Sequence, residues 1–415
     1  MTQRHVVVVG AGIIGLATAY QNVRAGARVT VVDRDPQGDK ASFGNAGAIA
    51  VTEVVPASVP GVVWRALGWM LDPLGPLAVR PAHALKLVPW FMRFAKVGTA
   101  AEMERISLAL AALNARAYED LIPMLGDLGL ASDLHRKGAL TLYESVDGYR
   151  RDAAEWCLKK ARGIEFHEIS AATAREIEPA LGGRVRQAIF TPQWSHVSDP
   201  RKIVDRLREW LLQQQVTILQ QEVTAVRTES SSALSVKFAT GERLAADYVV
   251  IAAGAWSGEL ARRLGERVLL ESERGYNTTI QNPGIAVERQ LIFAERKFVA
   301  TPLECGLRIG GAAEFGGLSA PADFRRSKKL LVLAQQYLPG LNDQVGTVWA
   351  GHRPATPDSL PVIGPSRTHP HILYAFGHGH LGLTQGATTG RLIRDLIFHG
   401  KTPVDMTPYQ VARFG

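Results

Sequence analysis

An α/β fold is predicted for this 415-residue chain, and three observations predict it. A β-branched run at residues 6–9 flows into a glycine-rich turn and an apolar helical stretch, the order of a strand–helix–strand unit in a parallel sheet. A second apolar strand lies at 247–252, and a third, at 372–376, precedes another glycine loop and a helix near the end of the chain. Composition agrees, with 46% hydrophobic and 21% charged residues. That is enough apolar material for two or three domains of roughly 100–200 residues each.

The same arithmetic excludes disorder, collagen and a disulfide scaffold. Net charge is +8, from 47 basic and 39 acidic residues. Lysine and arginine never cluster beyond a pair, so no nucleic-acid partner is expected. Cys157 and Cys305 are the only cysteines, which suits a reducing compartment and leaves no iron–sulfur or multi-cysteine zinc site. No metal site is expected. No apolar run reaches the roughly 18 residues of a transmembrane helix, and the N-terminus lacks a signal-peptide layout, so a cytoplasmic location is expected.

In the first unit each residue has a role. Gly10 permits the tight turn, Gly12 lets backbone approach a pyrophosphate, and Gly15 lets helix and strand pack closely. Ile13 and Ile14 open the helix, whose N-terminal amides favour an anion. A strand at 28–32 then delivers Asp33, positioned as a ribose-binding acid, followed by Arg34. The fingerprint does not separate NAD from FAD. Next, Ser42, Asn45, Ala46 and Gly47 lie in SFGNAG, a small polar turn suited to wrapping phosphates. The strand at 247–252 ends in Ala253, Gly254 and Trp256, small residues leaving room for a cofactor. Between them the spacing predicts a helix at 200–214 and strands at 216–219, 223–228 and 235–239, with Ser230, Ser231 and Ser232 at a hairpin tip. Near the C-terminus, Gly379, His380, Leu381, Gly382, Leu383 and Thr384 form a loop ahead of a helix expected over 386–399.

VVVVGAGIIGLATAY, SFGNAG, VVIAAGAWS, GHRPATPDSLPVIG and GHGHLGLTQGATTG together resemble the FAD-dependent D-amino-acid oxidase/dehydrogenase superfamily, most closely its bacterial D-amino-acid dehydrogenase branch. Glu273, Arg274, Gly275 and Tyr276 are similar to the branch that includes D-hydroxyproline dehydrogenases, although Asn277 stands where a histidine is common there. The resemblance implies an α/β (α+β overall) architecture. In it a Rossmann-like FAD-binding domain (1–55, 195–262 and 346–415) is interleaved with a mixed-sheet substrate domain (56–194 and 263–345). It implies adenine contact by the Val223 backbone. FAD is expected to be noncovalent, because the C-terminal flavin segment has no cysteine.

The implied reaction takes a D-amino acid, with D-proline or cis-4-hydroxy-D-proline favoured, to the imino acid by hydride transfer to flavin N5. Electrons then pass to a quinone or an electron-transfer partner protein. Such a reaction needs a guanidinium to hold the substrate carboxylate. Arg353, expected in a constrained turn between Gly351 and Pro354, matches the family's arginine; Arg308 is the weaker alternative. Amides of Gly382, Leu383 and Thr384 suit the reduced flavin's negative edge. His378 and His380 are expected to titrate near neutrality, one of them touching substrate or flavin. Tyr276 either donates its hydroxyl to the carboxylate or packs. Both cysteines read as packing residues.

Residues 59–97 interleave Trp64, Trp69, Trp90, Phe91 and Phe94 with Arg65, Arg80, Lys86, Arg93 and Lys96. That pattern suits either peripheral contact at the inner membrane face or a helix pair packed on the substrate domain. Pro73, Pro76, Pro81 and Pro89 are expected to break any long helix there. Two rival functions are a glycine/sarcosine-type amine oxidase using oxygen and a non-catalytic flavoprotein subunit of an electron-transfer complex.

Overall fold

The computed structural model describes residues 3–59, 61–62, 66, 68–69, 75–228, 234–342, 344 and 346–415. Its first layer is a six-stranded sheet in the order Thr217–Gln220, Arg28–Asp33, His5–Val9, Tyr248–Ile251, Ile372–Phe376, Val362–Pro365. The first five strands are parallel and the last is antiparallel. Val6, Val7 and Val8 are fully buried at the centre, which is why this strand carries no polar alternation.

The helices Ile13–Arg24 and Gly382–His399 lie side by side on one face of this sheet. They come so close that a Cβ on Gly390 would sit 2.5 Å from the Ala17 carbonyl oxygen. Both first turns therefore open at the same end of the sheet, beyond the carboxyl ends of its parallel strands, where open α/β sheets bind ligands.

The second layer is a nine-stranded mixed sheet. Its path runs Thr347–Ala355, Glu271–Ile280, Gly306–Phe315, Phe298–Leu303, Gln290–Phe293, Ala139–Tyr143, Gln187–Thr191, His167–Ser170, with Leu77–Val79 paired beside Gly306–Phe315. The helix Arg325–Gln335 covers its apolar face through Leu330, Leu331 and Ala334.

Several expectations meet a different arrangement. Thr347–Ala355 pairs along its length with Glu271–Ile280, so this strand joins the mixed sheet although it falls within 346–415. The helices Ala100–Asn114 and Ala117–Asp127, within 56–194, bury Ile106, Leu110, Leu113 and Met124 in the same core as Leu16, Tyr20 and Ile393. Burial of their apolar faces, not sequence adjacency, decides which layer they join. The last helix starts at Gly382 instead of 386. Pro89 does not break its helix: Pro81–Val97 runs through it, with Pro81 in the first turn, where a missing N–H costs nothing. Cys157 and Cys305 are both exposed instead of packed. Ser230–Ser232, Trp64, Arg65 and Pro73 lie outside the described residues. Among those described, no helix is long and apolar enough to cross a membrane.

Candidate active site

A cradle forms where the two helix starts meet. Gly10 adopts φ +116, a conformation other residues rarely tolerate, and a Cβ there would sit 2.4 Å from the Ala252 carbonyl oxygen. The Gly15 backbone approaches Gly10 so closely that a Cβ would lie 1.9 Å from its oxygen. Gly12, by contrast, is not crowded: a Cβ there would only touch Ser42 Oγ, at 3.7 Å. The Ala11 N–H donates to Asp33 Oδ2 at 2.7 Å, and the Ile13 N–H donates to Ser42 Oγ at 3.1 Å. Asp33 Oδ1 also receives Lys40 Nζ at 3.2 Å, which holds the acid at the mouth of the turn. The Arg34 guanidinium lies 4.1 Å over the Trp256 ring and closes one wall.

These residues open onto one cavity of about 990 Å³. That is the upper end of the usual range for ligand pockets, roughly 300–1,000 Å³, and enough for a dinucleotide and a small acid together. Of the expected cofactor contacts, Gly15, Gly47 and Thr384 stand back from the cavity, and all the others line it. Thr384 stands back because its hydroxyl accepts the Ala50 N–H at 2.9 Å and donates to the Ala48 carbonyl. The amides of Gly382, Leu383 and Thr384 occupy the first turn of the last helix and have no carbonyl partner within it. The donor set, two helix N-termini with an acid at the mouth of the glycine turn, fits FAD.

The SFGNAG turn is fixed from the mixed sheet. Arg308 Nη1 donates to the carbonyls of Phe43 and Asn45 at 3.0 and 2.6 Å, and its Nε donates to Thr279 Oγ1. Asn277 Nδ2 donates to the Gly44 carbonyl at 2.9 Å. Arg308 is thus spent on positioning the turn and is not free to clamp a carboxylate.

Arg353 also lines the cavity. It lies within the strand Thr347–Ala355, not in a turn, directly opposite Glu273 in the register. Arg353 Nη1 donates to Glu273 Oε1 at 2.7 Å and to the Ala312 carbonyl at 3.3 Å. Ala312 turns that carbonyl inward from a β-bulge, with φ +56. Gly275 lets the guanidinium lie across the sheet, because a Cβ there would sit 2.3 Å from Nη2. One cavity is thus lined both by the glycine turn and by the Arg353 guanidinium.

Three other expected side chains are arranged differently. The Tyr276 hydroxyl donates to Glu314 Oε2 at 2.5 Å and accepts the Asp323 N–H at 3.1 Å, so it is not offered to a ligand. His378 is buried, shares a hydrogen bond with Thr389 Oγ1 at 2.9 Å, and is held neutral, its pKa pushed down to about 3 by desolvation. It does not titrate near neutrality. His380 is exposed to the cavity. Desolvation lowers its pKa against the opposing fields of Glu53 and Glu273.

Sequence reasoning assigned nothing to Glu53, Lys159 or Glu155. Lys159 Nζ lies 2.7 Å from Glu53 Oε1; although burial pushes the Glu53 carboxyl up, Lys159 holds it below its usual range. Burial, then Asp152, raises Glu155. The pairing residues are 106 positions apart, and nothing local in the sequence marks them.

A family model described as FAD dependent oxidoreductase (DAO) matches residues 5–396. Among curated relatives, a D-amino-acid oxidase of Bradyrhizobium diazoefficiens is 32% identical over 99% of both chains. A D-amino acid dehydrogenase of Sinorhizobium medicae is 31% identical over 99% of this chain and all of that one. Among solved structures, glycine oxidase from Geobacillus kaustophilus superposes with a TM-score of 0.76 at 22% identity over 99% of both chains. L-proline dehydrogenase from P. horikoshii does so with 0.77 at 18% identity, covering 99% of this chain and 98% of that one. At these identities the solved structures show a shared fold.

Proposed function

Since this chain belongs to the FAD dependent oxidoreductase (DAO) family, we propose that it oxidises the α-carbon of a D-amino acid to the imino acid. The observation that carries this reading is that one cavity is lined by both the glycine turn and Arg353. FAD bound in the cradle supplies the acceptor for the Cα hydrogen and its electron pair. The protein's own residues supply the rest. Arg353 takes the substrate carboxylate and fixes which face of Cα is presented. The first-turn amides of the helix Gly382–His399 favour the negative charge that accumulates on reduction. His380 lines the same chamber, and neutral His378 braces the glycine loop from behind.

Within this reading the favoured substrate is cyclic, D-proline or cis-4-hydroxy-D-proline. The resemblance around residues 273–276 supports it, and so does the apolar wall of Leu87, Phe91 and Phe94. An anaerobic flavin spectrum during titration with matched D- and L-forms of proline, cis-4-hydroxyproline, alanine and arginine, together with glycine, tests it. Bleaching by D-forms alone is the expected result. Bleaching by glycine with rapid oxygen turnover would replace it with the glycine/sarcosine-type oxidase. A bound flavin that no amino acid reduces would leave a non-catalytic subunit.

The proposed acceptor is a quinone or an electron-transfer protein met at the membrane surface. The helix Pro81–Val97 supports this: Leu85, Val88 and Met92 share one face and are 87%, 45% and 69% exposed, beside Lys86. Trp90, Phe91 and Phe94 instead face inward onto the cavity, where Trp90 Nε1 donates to the Ala355 carbonyl. Co-sedimentation with anionic vesicles is the measurement, and replacing Leu85 and Met92 by glutamate should abolish it. Wild-type protein left in the supernatant would remove the membrane contact.

A further inference from the structure

An α-amino acid reaches a binding site as a zwitterion, with a carboxylate and an ammonium on the same carbon. A guanidinium alone reads only half of that head group. The cavity wall offers the other half beside it. Glu273 and Arg353 face each other across neighbouring strands, 2.7 Å apart, and both line the cavity. Their side chains are 28% and 29% exposed, so both reach the cavity.

The partners are asymmetric in a useful way. Arg353 spends Nη1 on Glu273 and the Ala312 carbonyl, and its Nε and Nη2 edge makes no hydrogen bond among the described residues. That edge is the one that takes a carboxylate bidentately. Glu273 in turn has Arg353 as its only ion-pair or hydrogen-bond partner among the described residues, through Oε1. Its Oε2 is left for a cation. A simple brace for an arginine is usually buried with both oxygens satisfied, as Glu314 is elsewhere in this sheet.

We propose that Glu273 receives the substrate's α-ammonium group, so that the Arg353–Glu273 pair reads the carboxylate and the ammonium side by side. This rests on the reading of Arg353 as the carboxylate clamp. The pair is complementary to a zwitterion and not to a simple anion. An anion would meet the Glu273 charge with nothing to offset it, so 2-oxo and 2-hydroxy acids are rejected at the same point.

The test uses the FAD-loaded protein and two ligands that cannot be oxidised because Cα bears no hydrogen: 2-aminoisobutyrate and 2-hydroxyisobutyrate. Dissociation constants come from calorimetry or from perturbation of the flavin spectrum. Wild-type protein should bind the amino acid at least about tenfold more tightly than the hydroxy acid. Glu273→Gln should weaken the amino acid roughly 10- to 100-fold and leave the hydroxy acid unchanged or tighter. If Glu273 merely holds Arg353 in place, both ligands weaken together, and that outcome overturns the proposal. Equal binding of the two ligands by wild-type protein overturns it as well, without any variant having to fold. Undiminished binding of both by Arg353→Lys would remove the clamp reading itself, and this proposal with it.

Discussion

Arg353→Ala should lower kcat/KM for the D-amino acid by about 10²- to 10³-fold while the purified protein keeps its flavin. A bidentate, charge-assisted contact amounts to two hydrogen bonds of roughly 1.5–3 kcal/mol each, less than their sum because the two are not independent. FAD is retained because the glycine turn, Asp33 and the two helix starts that form the cradle make no hydrogen bond to Arg353. Arg353→Lys should recover part of the loss, since an ammonium keeps the charge but not the fork. Steady-state kinetics with an artificial acceptor, alongside the flavin-to-protein absorbance ratio, measures both halves. Turnover near wild type would show that the carboxylate is held elsewhere.

Glu314→Ala should destabilise the mixed sheet by about 3–5 kcal/mol. The Glu314 carboxylate is 1% exposed and lies at the centre of three guanidiniums. Arg80 Nε is 2.6 Å away, Arg326 Nε 3.5 Å and Arg274 Nη1 3.9 Å, with the Tyr276 hydroxyl at 2.5 Å. Arg274 and Arg326 are themselves only 5% exposed, so losing the carboxylate leaves their charges desolvated beside one another. Through Arg80 the cluster also ties the start of the helix Pro81–Val97 to the sheet, and with it the aromatic wall of the cavity. A urea titration should therefore show the midpoint falling at constant slope, and kcat/KM should drop with it. A midpoint within experimental error of wild type would mean that the arginines find water or other partners when the carboxylate is gone.

The sequence alone specified the glycine turn at the first helix start. Turn, helix start and acid are close in sequence, so Gly10, Gly12, Gly15, Ser42 and Asp33 report on one another through local backbone geometry. It also determined the central strands, because a strand buried on both faces must be apolar at every position, as Val6, Val7 and Val8 are. Arg353 was legible through its motif, though not its setting in a strand. Which side chains Arg353, Tyr276 and His378 meet was settled by packing across the fold. Glu273 lies 80 positions from Arg353, Glu314 lies 38 from Tyr276, and Thr389 lies 11 from His378 on a helix packed behind the loop. The same holds for the helices at 100–127, whose apolar faces fit either layer until the closing helix offers a surface. Strand register and helix docking set such long-range contacts, and both minimise the apolar area and unpaired charge of the whole chain at once. A motif is read where its residues are neighbours in sequence, whereas a partner is chosen only once the sheet has closed.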